Sequence, residues 1–160
     1  MGFEGKTLIL AFEPAACRDL AYELAHTCQI QHLVSRETFL RKYVESTSAD
    51  WDYIVAIGLS KQLKRGLGVE TRFVNRFKAS PIETGGPEFI QQSSLLDLPV
   101  SQRITWSYCN LISYLFCRRI QTLQLSTQYS FVHINPRHAA PVELARSFGS
   151  AFNSVPMQVG

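Results

Sequence analysis

The chain has 160 residues, of which 46% are hydrophobic and 18% are charged, and its formal net charge is +3. This length and composition predict a single compact domain, residues 1–160, with scattered cations that argue against nucleic acid as a partner. No apolar run approaches the roughly 20 residues that a membrane span needs, and the first residues lack a signal-peptide pattern, so we expect no membrane partner and a cytoplasmic location.

The four cysteines are not arranged as a metal site or as a disulfide framework. They include no C-x-x-C pair, and no cluster of histidines accompanies them. Structural zinc sites and disulfide-rich domains usually show such spacings. We therefore expect no metal and no other cofactor.

The first half of the chain alternates apolar strands with amphipathic helices. Strands are predicted at residues 6–12, 31–34 and 52–59, and helices at residues 15–26 and 36–45, the second capped by Ser35. The run 6–12 is continuously apolar, as in a strand buried on both faces of a parallel sheet. This alternation predicts an α/β layered fold, in which functional residues gather beyond the carboxyl ends of the strands.

The second half adds a weaker set of elements. Residues 68–75 alternate apolar with polar side chains, which predicts an edge or half-exposed strand. Residues 80–92 contain Gly and Pro and are predicted as a loop. A further strand is predicted at residues 129–134 and a C-terminal helix at residues 142–155.

A helix is predicted from Ser107 to about residue 125, capped by Thr105 or Ser107, with Cys109 in its first turn. Its apolar stripe consists of Ile112, Leu115, Phe116, Ile120 and Leu123. The helix dipole and the free N–H groups of a first turn favour thiolate over thiol, so Cys109 is a plausible nucleophile. The alternative is that Cys109 is a small apolar filler, because free cysteine is often buried.

Several segments in a fixed order resemble pyroglutamyl peptidase type I, the pyrrolidone-carboxylate peptidase family of cysteine peptidases. The resemblance extends over nearly the whole chain. Its segments are residues 6–14, residues 54–59, Val69-Glu70 with Asn75 five residues on, Tyr108-Cys109-Asn110 and residues 131–134. The resemblance implies a three-layer sandwich of the phosphorylase/hydrolase-like type, with a mostly parallel, mixed central sheet flanked by helices.

The resemblance also implies a Cys-His-Glu triad that hydrolyses the amide bond after an N-terminal pyroglutamate. Carried over by position, Cys109 is the nucleophile, His133 the general base and Glu70 the carboxylate. Substrate contacts are implied for Phe12, Gly58, Leu59 and Tyr108. The implied partners are a peptide with a blocked N-terminus and a second copy of the chain, as a possible homo-oligomer.

The chain departs from the family pattern around substrate binding. The Phe-Gly-Gly after the first strand is replaced by Ala15-Ala16-Cys17, so one aromatic wall of the lactam pocket is lost. The family's arginine after the glutamate falls at Ser80, with Lys78 the nearest cation, and the segment before Ile104 is short. Two hypotheses follow: a shortened cysteine peptidase with an altered acyl pocket, or a catalytically inactive member that acts as a binding or structural module. A flavodoxin-like binding domain is a third, disfavoured because residues 12–15 lack a glycine and contain Glu13.

Overall fold

The computed structural model describes residues 5–13, 15–23, 28–64, 66–92, 96–101, 105–138, 143, 146 and 147. Its strands and helices follow in the order β1 (Thr7–Phe12), α1 (Ala15–Glu23), β2 (Gln29–Leu33), α2 (Glu37–Ser46), β3 (Tyr53–Leu59), β4 (Leu67–Glu70), β5 (Arg72–Val74), β6 (Phe89–Gln91), β7 (Val100–Ser101), α3 (Tyr108–Thr122) and β8 (Gln128–Ile134). The helix predicted at residues 142–155 falls almost entirely outside this range. Within it, no helix combines the length and the apolar character needed to cross a bilayer.

The main sheet has six strands in the order β2-β1-β3-β8-β4-β7. Every neighbouring pair is parallel except β4 and β8, which are antiparallel. The parallel strands β1, β3 and β8 occupy the middle, where both faces are covered, which agrees with their long apolar runs. The prediction of a mostly parallel, mixed sheet is confirmed.

Helices cover both faces of this sheet and make the fold a three-layer sandwich. Alternate residues of a strand point to opposite faces. Accordingly, Leu8 and Leu10 of β1 pack in the core beneath α2 and α3, whereas Ile9 and Ala11 pack in the core beneath α1. All six residues of β1 are buried, so this strand belongs to both cores. The predicted layered fold is confirmed.

The segment predicted as one edge or half-exposed strand, residues 68–75, forms two strands in two different sheets. β4 lies inside the main sheet, between β8 and β7, and all four of its residues are buried. β5 leaves that sheet and pairs with β6, which lies within the predicted loop at residues 80–92. The edge or half-exposed strand predicted here was wrong for β4, which is buried inside the sheet, whereas β5 is half-exposed as predicted, with Arg72 exposed and Phe73 buried beneath α3.

The helix ends differ from the predictions in their capping. Arg36, not Ser35, stands at the N-cap of α2, and Ser107 stands at that of α3, yet neither side chain makes a capping hydrogen bond. The Ser107 hydroxyl instead lies 2.9 Å from the Thr105 hydroxyl. The predicted apolar stripe of α3 fails at its end, because Leu123 is 53% exposed.

Candidate active site

His133 lies one residue before the end of β8, on the sheet face that α3 covers. It is 5% exposed, and its ring packs edge-on against Phe131, with 4.8 Å between the ring centroids. Phe131 and His133 are two residues apart on one strand, so both point to the same face. The histidine that stands among apolar residues in the sequence therefore has its imidazole buried at the carboxyl end of a central strand.

Glycines flank His133 on both neighbouring strands. In the register of the sheet, His133 stands beside Gly58 of β3 and opposite Gly68 of β4. A Cβ atom at Gly58 would lie 2.7 Å from Cζ of Phe131 and 2.9 Å from Sγ of Cys109, distances at which atoms must move. Gly58 is thus required by close packing, and the Cys109 sulfur lies above the strand next to His133.

Glu70 approaches the imidazole from the other side. It is the last residue of β4, pairs with Phe131 across the sheet and is 4% exposed. Its Oε1 lies 3.0 Å from Nδ1 of His133, within ion-pair distance. That oxygen makes no aligned hydrogen bond within the described residues, so the contact is close but not linear. A carboxylate at Nδ1 favours the tautomer that leaves Nε2 free to accept a proton.

Cys109 is the second residue of α3, as the sequence predicted. Its carbonyl oxygen accepts a hydrogen bond of 2.7 Å from the Ser113 hydroxyl, which lies 2.8 Å from the hydroxyl of Tyr129. Cys109 keeps partial exposure, whereas Cys17 and Cys117 are buried. Within the described residues, no hydrogen bond joins its sulfur to the His133 ring, although the sulfur lies over Gly58, the residue beside His133 on the neighbouring strand.

The pKa of the Cys109 thiol is raised, whereas the sequence predicted that it would be lowered. Burial and, to a smaller extent, the negative charge of Glu70 raise the pKa of its thiol to about 12, although a hydrogen bond with Ser107 opposes the rise. Burial likewise raises the pKa of Cys17 to about 12. The expected lowering by the helix N-terminus was wrong because desolvation and a nearby negative charge outweigh it.

The four predicted substrate contacts divide into two groups. Phe12, Gly58 and Tyr108 lie on the face that α3 covers, and Phe12 is only 4% exposed. The Leu59 side chain packs in the core on the opposite face, beneath α1. The structure therefore brings the first three residues to the sheet face that carries His133, and it does not bring the Leu59 side chain there.

Sequence reasoning missed how two asparagines hold the surroundings of the site. Asn110 accepts from the Val74 N–H at 2.9 Å and donates to the carbonyls of Val74 and Arg76, each at 2.9 Å. Asn75 donates to the Glu83 carbonyl at 2.7 Å and accepts from the Glu83 N–H at 2.8 Å. Because asparagine commonly caps or turns a chain, its sequence position alone gave no sign of these long-range contacts.

No protein-family model and no curated protein matches this chain. Solved structures match it over nearly its whole length. A mutant pyrrolidone carboxyl peptidase from the hyperthermophile Pyrococcus furiosus has a TM-score of 0.74 at 17% identity, covering 94% of this chain and 97% of that one. Pyroglutamyl peptidase I from Bacillus amyloliquefaciens has a TM-score of 0.74 at 14% identity, with 96% and 95% covered.

Pyrrolidone carboxyl peptidase from Thermococcus litoralis is also similar, with a TM-score of 0.63 at 14% identity and 98% of both chains covered. Identities this low show the fold and no more. The chain therefore has a pyroglutamyl peptidase I-like fold in divergent form, which confirms the resemblance predicted from the sequence at the level of fold.

Proposed function

We propose that this chain is a cysteine-type hydrolase that removes an N-terminal pyroglutamyl group, or a related acyl group, from peptides. Cys109 is the nucleophile, His133 the general base and acid, and Glu70 the carboxylate that orients the imidazole. The substrate is a peptide with a blocked N-terminus, a class suggested by the names of the proteins that share the fold.

In the proposed reaction, Sγ of Cys109 attacks the carbonyl carbon of the acyl group while Nε2 of His133 takes the thiol proton. The C–N bond then breaks, and His133 returns the proton to the leaving amine. Water attacks the thioester with His133 again as base, which releases the acid and restores the thiol. Backbone N–H groups in the first turn of α3 would stabilise the charge on the acyl oxygen.

The observation that supports this proposal most strongly is the 3.0 Å contact between Glu70 and Nδ1 of His133, beside a glycine over which the Cys109 sulfur lies. Gly58 and His133 stand side by side on neighbouring strands about 4.8 Å apart, and the position of the Cys109 sulfur over Gly58 supports its approach to the imidazole. Catalytic hydrogen bonds are often long without substrate. The raised thiol pKa means that proton transfer to His133 must accompany the attack.

The proposal is tested by release of the fluorophore from a pyroglutamyl-coumarin amide. Cys109→Ala should lower kcat/KM by at least about 1000-fold, and Glu70→Gln by at least about tenfold, because a triad acts as a unit. Cys28→Ala, at another partly exposed cysteine, is the matched control and should retain full activity. Equal activity of the Cys109→Ala variant would contradict the proposal.

A second candidate is a catalytically inactive member that acts as a binding or structural module. The raised pKa of Cys109 and the burial of Phe12 favour it, since a protonated thiol and a closed aromatic wall both oppose turnover. Under this hypothesis, no pyroglutamyl substrate is cleaved by the wild-type chain. Cys109→Ala then leaves peptide binding and stability largely unchanged.

A further inference from the structure

Two cations stand on aromatic rings beside the first turn of α3. The guanidinium of Arg76 lies 4.5 Å from the ring centroid of Trp106. The ammonium of Lys78 lies 5.1 Å from that of Phe77 and 5.8 Å from that of Tyr108, the residue before Cys109. We call Arg76, Lys78, Trp106 and Tyr108 the cationic rim.

Among the residues that the structure describes, no carboxylate forms an ion pair with the two cations of the rim. Arg76 and Lys78 are both exposed, and neither forms an ion pair within the part of the chain that the structure describes. By contrast, Arg41 and Arg118 are paired with Glu37 and Glu83. Two cations that lie on aromatic rings, and that pair with no carboxylate of the described residues, are available to an anionic ligand.

The backbone of the rim is held in a defined and uncommon conformation. Lys78 has a φ of +54°, which non-glycine residues rarely adopt. The Phe77 N–H donates to the Ser80 carbonyl at 2.9 Å, the Ser80 N–H donates back at 3.1 Å, and the Lys78 N–H donates to the Trp106 carbonyl at 3.4 Å. Asn110 holds the carbonyl of Arg76. This order lowers the entropy lost when a ligand binds.

From these contacts we propose that the cationic rim binds a carboxylate of the peptide substrate and makes the site selective for acidic peptides. This inference rests on the proposed function for the identity of the peptide. The carboxylate has two sources: an acidic side chain next to the acyl group, or the C-terminus of a very short peptide. Either one places a negative charge within a few residues of the bond to be cleaved.

Binding is measured by calorimetry on the Cys109→Ala variant, so that turnover does not interfere. The probes are pyroglutamyl-glutamate amide, pyroglutamyl-glutamine amide and pyroglutamyl-glutamine with a free C-terminus. At least one of the charged peptides should bind several times more tightly than the neutral amide, and the one that does identifies the source of the carboxylate. Exposed ion pairs contribute modestly, so Arg76→Gln and Lys78→Gln should each reduce that preference about threefold.

Arg72→Gln is the matched control, because Arg72 is an exposed arginine that also stands on a ring, 4.3 Å from the centroid of Phe89. It should leave the preference unchanged. Equal affinity for all three peptides, no binding of any of them, or an equal loss in Arg72→Gln would overturn the inference. A preference for charged peptides in a chain that cleaves no pyroglutamyl substrate would instead overturn the proposed function and leave the rim as a carboxylate site.

Discussion

At the scale of single residues, the candidate site depends on two glycines, whose lack of a side chain leaves space for their neighbours. Gly58 and Gly68 stand on either side of His133 and leave room for the sulfur of Cys109 and for Leu63. A glycine in the interior of a strand weakens that strand, and it often marks a close approach of another group. Here the close approach is that of the candidate nucleophile to the sheet.

Gly58→Ala should therefore destabilise the protein by about 1–3 kcal/mol, the usual cost of overpacking a core. The new methyl group would meet Phe131 and the Cys109 sulfur at less than 3.0 Å, so these groups must shift, and we expect the proposed hydrolysis to fall as well. Gly68→Ala is the control: its methyl group meets the end of the flexible Leu63 side chain at 3.0 Å and should cost less. Urea unfolding measures both, and equal stability of the Gly58→Ala variant and the wild type would refute the packing argument.

The raised pKa of Cys109 predicts a specific dependence of its reactivity on pH. Because only the thiolate is alkylated, and the thiol has a pKa of about 12, the iodoacetamide rate at Cys109 should rise about tenfold per pH unit from pH 7 to 10. Mass spectrometry of the Cys109 peptide measures this rate. A plateau below pH 8 would show instead that the thiol pKa is lowered, as the helix N-terminus alone would predict.

At the scale of secondary structure elements, the Asn110 side chain of α3 is hydrogen-bonded to β5 and to the residues that follow it. Asn110 makes three hydrogen bonds to the backbone of Val74 and Arg76, and it is 2% exposed. These hydrogen bonds hold Val74 and Arg76, which follow Glu70 in the chain, against the start of α3. Arg76 is itself part of the cationic rim, so the same bonds position the rim beside Cys109.

Asn110→Ala should lower the free energy of unfolding by about 2–3 kcal/mol, because it leaves backbone groups buried without partners. Ser107→Ala, at the N-cap of the same helix, is the control and should change stability little, since Ser107 makes no capping hydrogen bond. Urea unfolding again gives both values. The Asn110 hydrogen bonds would be unimportant if the two variants were equally stable.

The elements with continuous apolar or strongly periodic patterns were predictable, whereas the path of residues 68–75 was not. The pairing of β5 with β6 joins residues that are well apart in the chain, so the local pattern of apolar and polar residues cannot predict it. Neighbouring strand residues such as Gly58 and Leu59 face opposite sides of a sheet, so the sequence already indicates that the Leu59 side chain lies on the face away from a group packed over Gly58. The sign of the Cys109 pKa shift depends on the density of surrounding protein, which a sequence does not give.

At the scale of the whole molecule, the sheet ends differently on its two sides. β2 presents polar residues such as Gln29 and Gln31 at one edge, while the short β7 forms the other, where Val100 is 44% exposed. A cleft of about 300 Å³ adjoins β7 and is lined by Leu63, Lys64, Leu67, Gly68, Pro99, Val100 and Ser101. An apolar edge of this kind is suited to pairing with another chain.

We expect the protein to associate with itself through this edge. Light scattering should give a mass that rises with concentration toward that of a dimer, and Val100→Lys should shift the population to the monomer. Tyr22→Lys, at an exposed apolar residue on α1 that is 59% exposed, is the matched control and should leave the mass unchanged. A monomeric wild-type chain at high concentration would count against association.

The most direct test of the triad is covalent trapping with a pyroglutamyl chloromethyl ketone, followed by mass spectrometry of the peptides. We expect one adduct, on Cys109, formed rapidly by the wild-type chain and at least about tenfold more slowly by His133→Gln, because the imidazole must take the thiol proton. The partly exposed Cys28 should remain unmodified. Modification of Cys28 as fast as Cys109, or an equal rate in the His133→Gln variant, would contradict a catalytic triad.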